Sequence, residues 1–145
     1  MNTADLNRAP HSIAYEAITA NNPAQQEVVS RCVAAARGWP LGPGARVLDA
    51  GAGTGSISIP LALELPQCTV IHLEPDSDMF DAARTKAVQA GVTNLEFLQC
   101  DLASANFLPG SMSAIGPCWK SAAEYGSATT CASSLSLRAH SRAVA

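Results

Sequence analysis

An α/β fold built on a parallel sheet is predicted by three observations. Short β-prone runs at Arg46–Ala50, Thr69–Leu73 and Leu95–Gln99 alternate with segments of helical character. The second run, TVIHL, is almost continuously apolar, as strands buried on both faces of a parallel sheet are. The first run passes directly into a glycine-rich turn, Gly51-Ala-Gly53-Thr-Gly55, with a helical segment behind it. A β-α-β-α-β order makes right-handed crossovers and strands that all point the same way.

The elements follow in order. Residues 1–40 read as helical, 41–108 as the alternating core, and 109–145 as an irregular or weakly structured tail rich in Ser and Ala. A short helix is predicted around Ile13–Thr19. A longer one starts where Asn22 caps and Pro23 takes the first helical position. Its apolar face is Val28, Val29, Cys32, Val33 and Ala36, and Gly38 and Pro40 stop it. These helices are expected to cover an edge or face of the sheet. The helix predicted over Ser56–Leu65 contains Pro60, which removes an amide donor and should kink it. The next, Ser77–Ala90, is capped by Asp76 or Ser77, stopped by Gly91, and carries a core stripe of Met79, Phe80, Ala83, Ala87 and Val88. Met112–Ile115 offers a weak fourth strand and Ser121–Leu137 a poor helix. The sheet is therefore expected to be incomplete, with three to four strands, and the break in composition near residue 110 reads as a truncated or frame-shifted longer sequence.

Composition removes several function classes. The 145 residues carry a net charge of −3, which argues against a nucleic-acid binder, since phosphate contacts need clustered Lys and Arg. No apolar run approaches the roughly 20 residues that span a bilayer. The start, MNTADLNRAPHS, has no basic region followed by an apolar one, so no signal peptide is expected. The five cysteines are widely spaced with no CxxC pair, which supports neither a zinc site nor a disulfide framework. Reduced thiols in a cytoplasmic protein are the expectation.

The glycine turn points to a ligand. Glycines reach positive φ and let the backbone approach a bound group, while the amides at the start of the following helix face it. The spacing is GxGxG rather than the GxGxxG of dinucleotide enzymes, and no Lys-Ser/Thr follows as in a P-loop. Asp49 precedes the first glycine by two residues. Glu74 ends the second strand nineteen residues after Gly55, where a carboxylate can accept ribose hydroxyls. Asp101 is placed at the end of the third strand. Three acids at neighbouring strand ends suit a cationic or hydroxyl-rich ligand and would repel a pyrophosphate. Asp49, inside the apolar VLDAGAG run, must find partners. His72 reads as a packed core residue, and so does Tyr15.

These residues resemble the class I S-adenosylmethionine-dependent methyltransferase family. The resemblance is carried by Val47-Leu-Asp49-Ala-Gly51-Ala-Gly53-Thr-Gly55, Ile71-His-Leu-Glu74 and Phe97-Leu-Gln-Cys-Asp101, and covers residues 41–108. It implies a Rossmann-like sheet and S-adenosylmethionine as cofactor. It further implies that Asp49 helps hold the methionine portion, that Gly51, Gly53 and Gly55 give backbone access, and that Glu74 binds the ribose hydroxyls. Asp101 would receive the adenine amino group, with the Cys100 amide near the ring. No metal and no catalytic residue is implied. Methyl transfer to a small-molecule acceptor is the expected activity, with a catalytically inactive cofactor-binding remnant or interaction protein as the alternative. An NAD-dependent dehydrogenase is disfavoured by the GxGxG spacing and Asp49. Gly116-Pro117-Cys118-Trp119 is similar to the Pro-Cys nucleophile of cytosine-methylating enzymes, but no positive cleft or accompanying acid goes with it, so Cys118 is expected to be an incidental thiol. A flank of the first strand left open by the tail would expose apolar residues, which a dimer through that edge would cover.

Overall fold

The computed structural model describes residues 10–107 and 111–115. Helices α1 (His11–Thr19) and α2 (Pro23–Ala36) precede β1 (Arg46–Ala50), α3 (Ser58–Glu64), β2 (Thr69–Leu73), α4 (Ser77–Gln89), β3 (Leu95–Leu98) and β4 (Ala114–Ile115). The strands form one parallel sheet in the order β3-β2-β1-β4. The chain thus grows outward from β1 to β3 on one side and then crosses to lay β4 on the other, pairing Val47 with Ala114 and Leu48 with Ile115. Ligands in open α/β sheets bind where the strand order reverses in this way, outside the carboxyl ends of the strands.

Local chemistry explains the element ends. The Asn22 side chain accepts from the Ala24 amide and Pro23 takes the first position of α2. Asp76, not Ser77, caps α4, accepting from the amides of Asp78 and Met79 at 2.9 and 3.0 Å. Asn94 donates to the carbonyls of Ala62, Leu65 and Cys68 at 3.0–3.1 Å, closing the end of α3 and the turn that follows it.

One face of the sheet carries Val47 and Val70 against Ala36, Leu61, Ala62, Leu65 and Cys68. The other carries Leu48, Ala50, Ile71 and Leu73, against which Leu98, Cys100, Phe107 and Met112 pack. Among the described residues no helix is long and apolar enough to cross a membrane.

Three expectations need correction. Helix α3 starts at Ser58, so Pro60 lies in its first turn, where amides have no intrahelical partner to lose, and no kink is needed. Val88 is 80% exposed, because the buried stripe of α4 is the narrower Phe80–Ala83–Ala87 row. The strand β3 ends at Leu98, opposite Leu73, the last residue of β2; Asp101 therefore stands three residues beyond it, in a turn. The weak fourth strand read at Met112–Ile115 is present as β4, which pairs with two residues of β1. The readings of Ser121–Leu137 and of Cys118 lie outside the described residues.

Candidate functional site

The glycine turn leaves the carboxyl end of β1 and bends over the end of β2. Gly51, Gly53 and Gly55 have φ of +70°, +57° and +80°, a region where a Cβ would crowd the following carbonyl. The amides of Gly51 and Ala52 both donate to the Leu73 carbonyl, at 2.9 and 3.0 Å. That contact ties the turn to the residue before Glu74. The three glycines then differ in what surrounds them. A Cβ on Gly51 or Gly53 would meet nothing within 4 Å, so open space lies above both. On Gly55 it would lie 2.8 Å from Ile59 Cδ1, so this glycine also serves the close packing of the turn on α3.

Glu74 is 8% exposed and folds back over the turn. Its Oε2 accepts from the Gly53 amide at 2.8 Å and its Oε1 from the Asp76 amide at 2.9 Å. A carboxylate has about four acceptor sites, so each oxygen keeps one for a further donor. Asp101 is exposed and accepts from the Ser104 amide at 2.7 Å, which holds its carboxyl below the usual range. Glu74 and Gly53 are thus directly joined, while the described contacts of Asp101 are confined to its own turn.

Asp49 lies inside β1 beside His72 of β2. It is 2% exposed and its Oδ2 has no hydrogen-bond partner. Burial pushes its carboxyl up to about 7; the Ser58 backbone amide opposes the shift and the nearby Glu74 charge adds to it. His72 is fully buried; its Nδ1 pairs with the Ser58 hydroxyl at 2.8 Å, its ring packs on Phe97, and burial lowers its pKa to about 4. It is the core residue the sequence suggests. Cys100 is half-buried against the sheet.

Sequence reading missed a second ring of contacts. Glu16 of α1 reaches the Thr54 hydroxyl inside the turn and pairs with Lys86 of α4 at 2.8 Å. Nothing local marks Glu16, because its partners stand 38 and 70 residues away. A cavity of about 680 Å³ lies on the helical side of the turn, lined by Glu16, Gln25, Val29, Ser56 and Lys86. Of the cofactor-site residues expected from the sequence it touches Gly55 alone. Tyr15 is half-buried on α1, with its hydroxyl 3.5 Å from Gln25 Nε2. Among the described residues no group of acids, His and Cys could hold a metal ion.

The arrangement can take a ligand that passes close to the turn and brings hydrogen-bond donors to the two acids. Open space over two glycines admits a backbone-contacting group, Glu74 keeps acceptor capacity for hydroxyls, and Asp49 presents an orphaned acceptor oxygen.

Comparison with known proteins identifies the family. Residues 47–125 match a family model described as a methyltransferase domain. The glutathione S-transferase C-terminal domain-containing protein homolog of Drosophila melanogaster is 40% identical over 60 residues, 41% of this chain and 10% of that protein. The release factor glutamine methyltransferase of Escherichia coli is 38% identical over 60 residues, 41% of this chain and 22% of that protein. Among solved structures, that of EvdMO1 is similar with a TM-score of 0.52 at 25% identity, covering 61% of this chain and 21% of that one. The chain therefore spans only about a tenth to a fifth of the length of these curated relatives.

Proposed function

The chain belongs to the class I S-adenosylmethionine-dependent methyltransferase family, and on that premise we propose that residues 41–108 form the part that binds S-adenosylmethionine for methyl transfer to a small-molecule acceptor. The observation that carries the reading is the turn itself: positive φ at Gly51 and Gly53, open space above both, and Glu74 hydrogen-bonded to the Gly53 amide. In this reading Gly51 and Gly53 pass close to the amino-acid end, Glu74 accepts ribose hydroxyls through its free lone pairs, and Asp49 offers its orphaned oxygen to the ligand's cationic end. Asp101, exposed beyond β3, accepts from the adenine amino group, beside the Cys100 amide. When bound, the cofactor supplies a methyl group activated on a sulfonium. What this chain contributes is alignment: transfer is an in-line displacement, and holding the donor fixed removes much of the entropic barrier.

A small-molecule acceptor is supported by the net charge of −3, which gives no electrostatic footprint for a phosphate backbone. The release factor glutamine methyltransferase among its relatives makes a protein glutamine the second acceptor class. A cytoplasmic location and a dimer through a sheet edge belong to the same proposal. The test is calorimetric titration of the chain with S-adenosylhomocysteine, then a methyl-transfer assay over small-molecule and peptide acceptors. Binding with transfer to a small molecule is expected. Binding with transfer to peptides alone would overturn the acceptor class, and saturable binding with no transfer would favour a cofactor-binding protein without catalysis.

A further inference from the structure

Helix α1 ends 32 residues before the glycine turn begins, yet it is fastened to that turn. Thr54 is fully buried between two glycines of positive φ, and it is the only residue from Gly51 to Gly55 whose side chain can form a hydrogen bond. Its hydroxyl donates to the Glu16 carboxylate. Lys86 Nζ closes the triangle, 2.8 Å from Glu16 and 3.4 Å from the Thr54 oxygen. The neighbouring residue, Gly53, is held from the other side by Glu74. Two consecutive residues of the turn are therefore gripped by two carboxylates, one from the end of β2 and one from α1. The helix is held in place independently of this contact. Its Ser12 amide donates to Asp78 Oδ2 at 2.7 Å, and His11 Nδ1 lies 2.9 Å from Asp76 Oδ2.

Glycine-rich backbone is costly to order, and a hydrogen bond to a charged acceptor is about twice as strong as a neutral one. We propose that Glu16 is a positioning residue of the cofactor site, which acts through the Thr54 hydroxyl to fix the glycine turn in its ligand-ready shape. The effect on ligand affinity rests on the cofactor reading above; the effect on the turn does not. Lys86 keeps Glu16 charged and aimed.

The experiment uses the full chain with Glu16→Ala, Glu16→Gln, Thr54→Val and Thr54→Ser. Amide hydrogen exchange in the ligand-free protein reads the turn, and titration with S-adenosylhomocysteine reads the site. In Glu16→Ala and Thr54→Val, exchange at Gly53 and Gly55 is expected to rise about tenfold, the worth of one charge-assisted hydrogen bond, while exchange at Leu48 and Ile71 stays as in the wild type. Affinity should fall by a similar factor, and the double variant should be no weaker than either single one. Thr54→Ser retains the donor and should behave close to the wild type, while Glu16→Gln keeps an acceptor without the charge and should fall between the wild type and Glu16→Ala. Unchanged exchange at Gly53 and Gly55 in Glu16→Ala overturns the proposal, as does a Thr54→Ser variant impaired like Thr54→Val. A wild-type chain that binds no S-adenosylhomocysteine would remove the cofactor reading, with the exchange data still deciding whether Glu16 sets the turn.

Discussion

The buried carboxyl of Asp49 makes a quantitative prediction about how stability varies with pH. In the folded chain it ionises near 7; in the unfolded chain it ionises near its ordinary value of 3.8. Between those values the folded state holds a proton that the unfolded state has released, so stability falls as pH rises. The contribution is fully present below pH 3.8 and gone above about 7. A shift of about three units corresponds to roughly 4 kcal/mol, a large part of the about 5–15 kcal/mol that a domain has in total. Asp49→Asn removes the titration and keeps the shape. Other groups also titrate: burial depresses His72, and Glu16, Asp76 and Asp101 are lowered, all of which give slopes of the opposite sign. The difference between variant and wild type cancels them. The asparagine amide adds an offset that does not depend on pH. Urea unfolding of both proteins from pH 4 to 8 should show the variant gaining about 4 kcal/mol relative to wild type across that range, most of it between pH 4 and 7. Parallel stability curves would refute the reasoning, because they would mean that Asp49 is ionised and paired in the folded chain.

Further outcomes follow from the same geometry. Gly55→Ala should cost more than the about 1–2 kcal/mol of a left-handed backbone, because its Cβ meets Ile59 Cδ1; adding Ile59→Val, which deletes that carbon, should recover part of the loss in a denaturant melt. Gly51→Ala, with open space at its Cβ, should show the backbone cost alone. Asn94→Ala frees three carbonyls at the end of α3 and should lower stability by about 1–3 kcal/mol in the same assay. The His72 ring should titrate near pH 4 by NMR, and the stability it confers should be present above pH 6.5 and lost as pH falls toward 4.

What could be read from the sequence was what sequence-local physics decides. The glycines of the turn, the Asn22 and Asp76 caps and the Gly91 stop act within a few residues of themselves, and each stands where its neighbours demand. The apolar TVIHL run became a buried strand, because continuous hydrophobicity leaves no solvent face to choose. Contacts set by the fold were not readable. Glu16 became a partner of Thr54 only once α1 lay across the turn, and Asn94 found the end of α3 only through the β2–β3 pairing. Asp101 shows the limit from the other side. Its place after an apolar run suggested a strand end, but β2 stops at Leu73, so β3 has no ladder partner past Leu98 and Asp101 turns to the Ser104 amide. Gly55 was given one role by its motif and has two, because the nearness of Ile59 is a tertiary fact.

The central claim is that the turn, Glu74 and Asp49 make a cofactor site. It is tested most directly by thermal unfolding of the full chain with and without S-adenosylhomocysteine, wild type beside Glu74→Ala. At one hundred times its dissociation constant the ligand should stabilise the wild type by about 2.7 kcal/mol and raise its melting temperature. The same concentration should move Glu74→Ala much less. A cooperative wild-type melt that does not respond to the ligand at any concentration would contradict the claim.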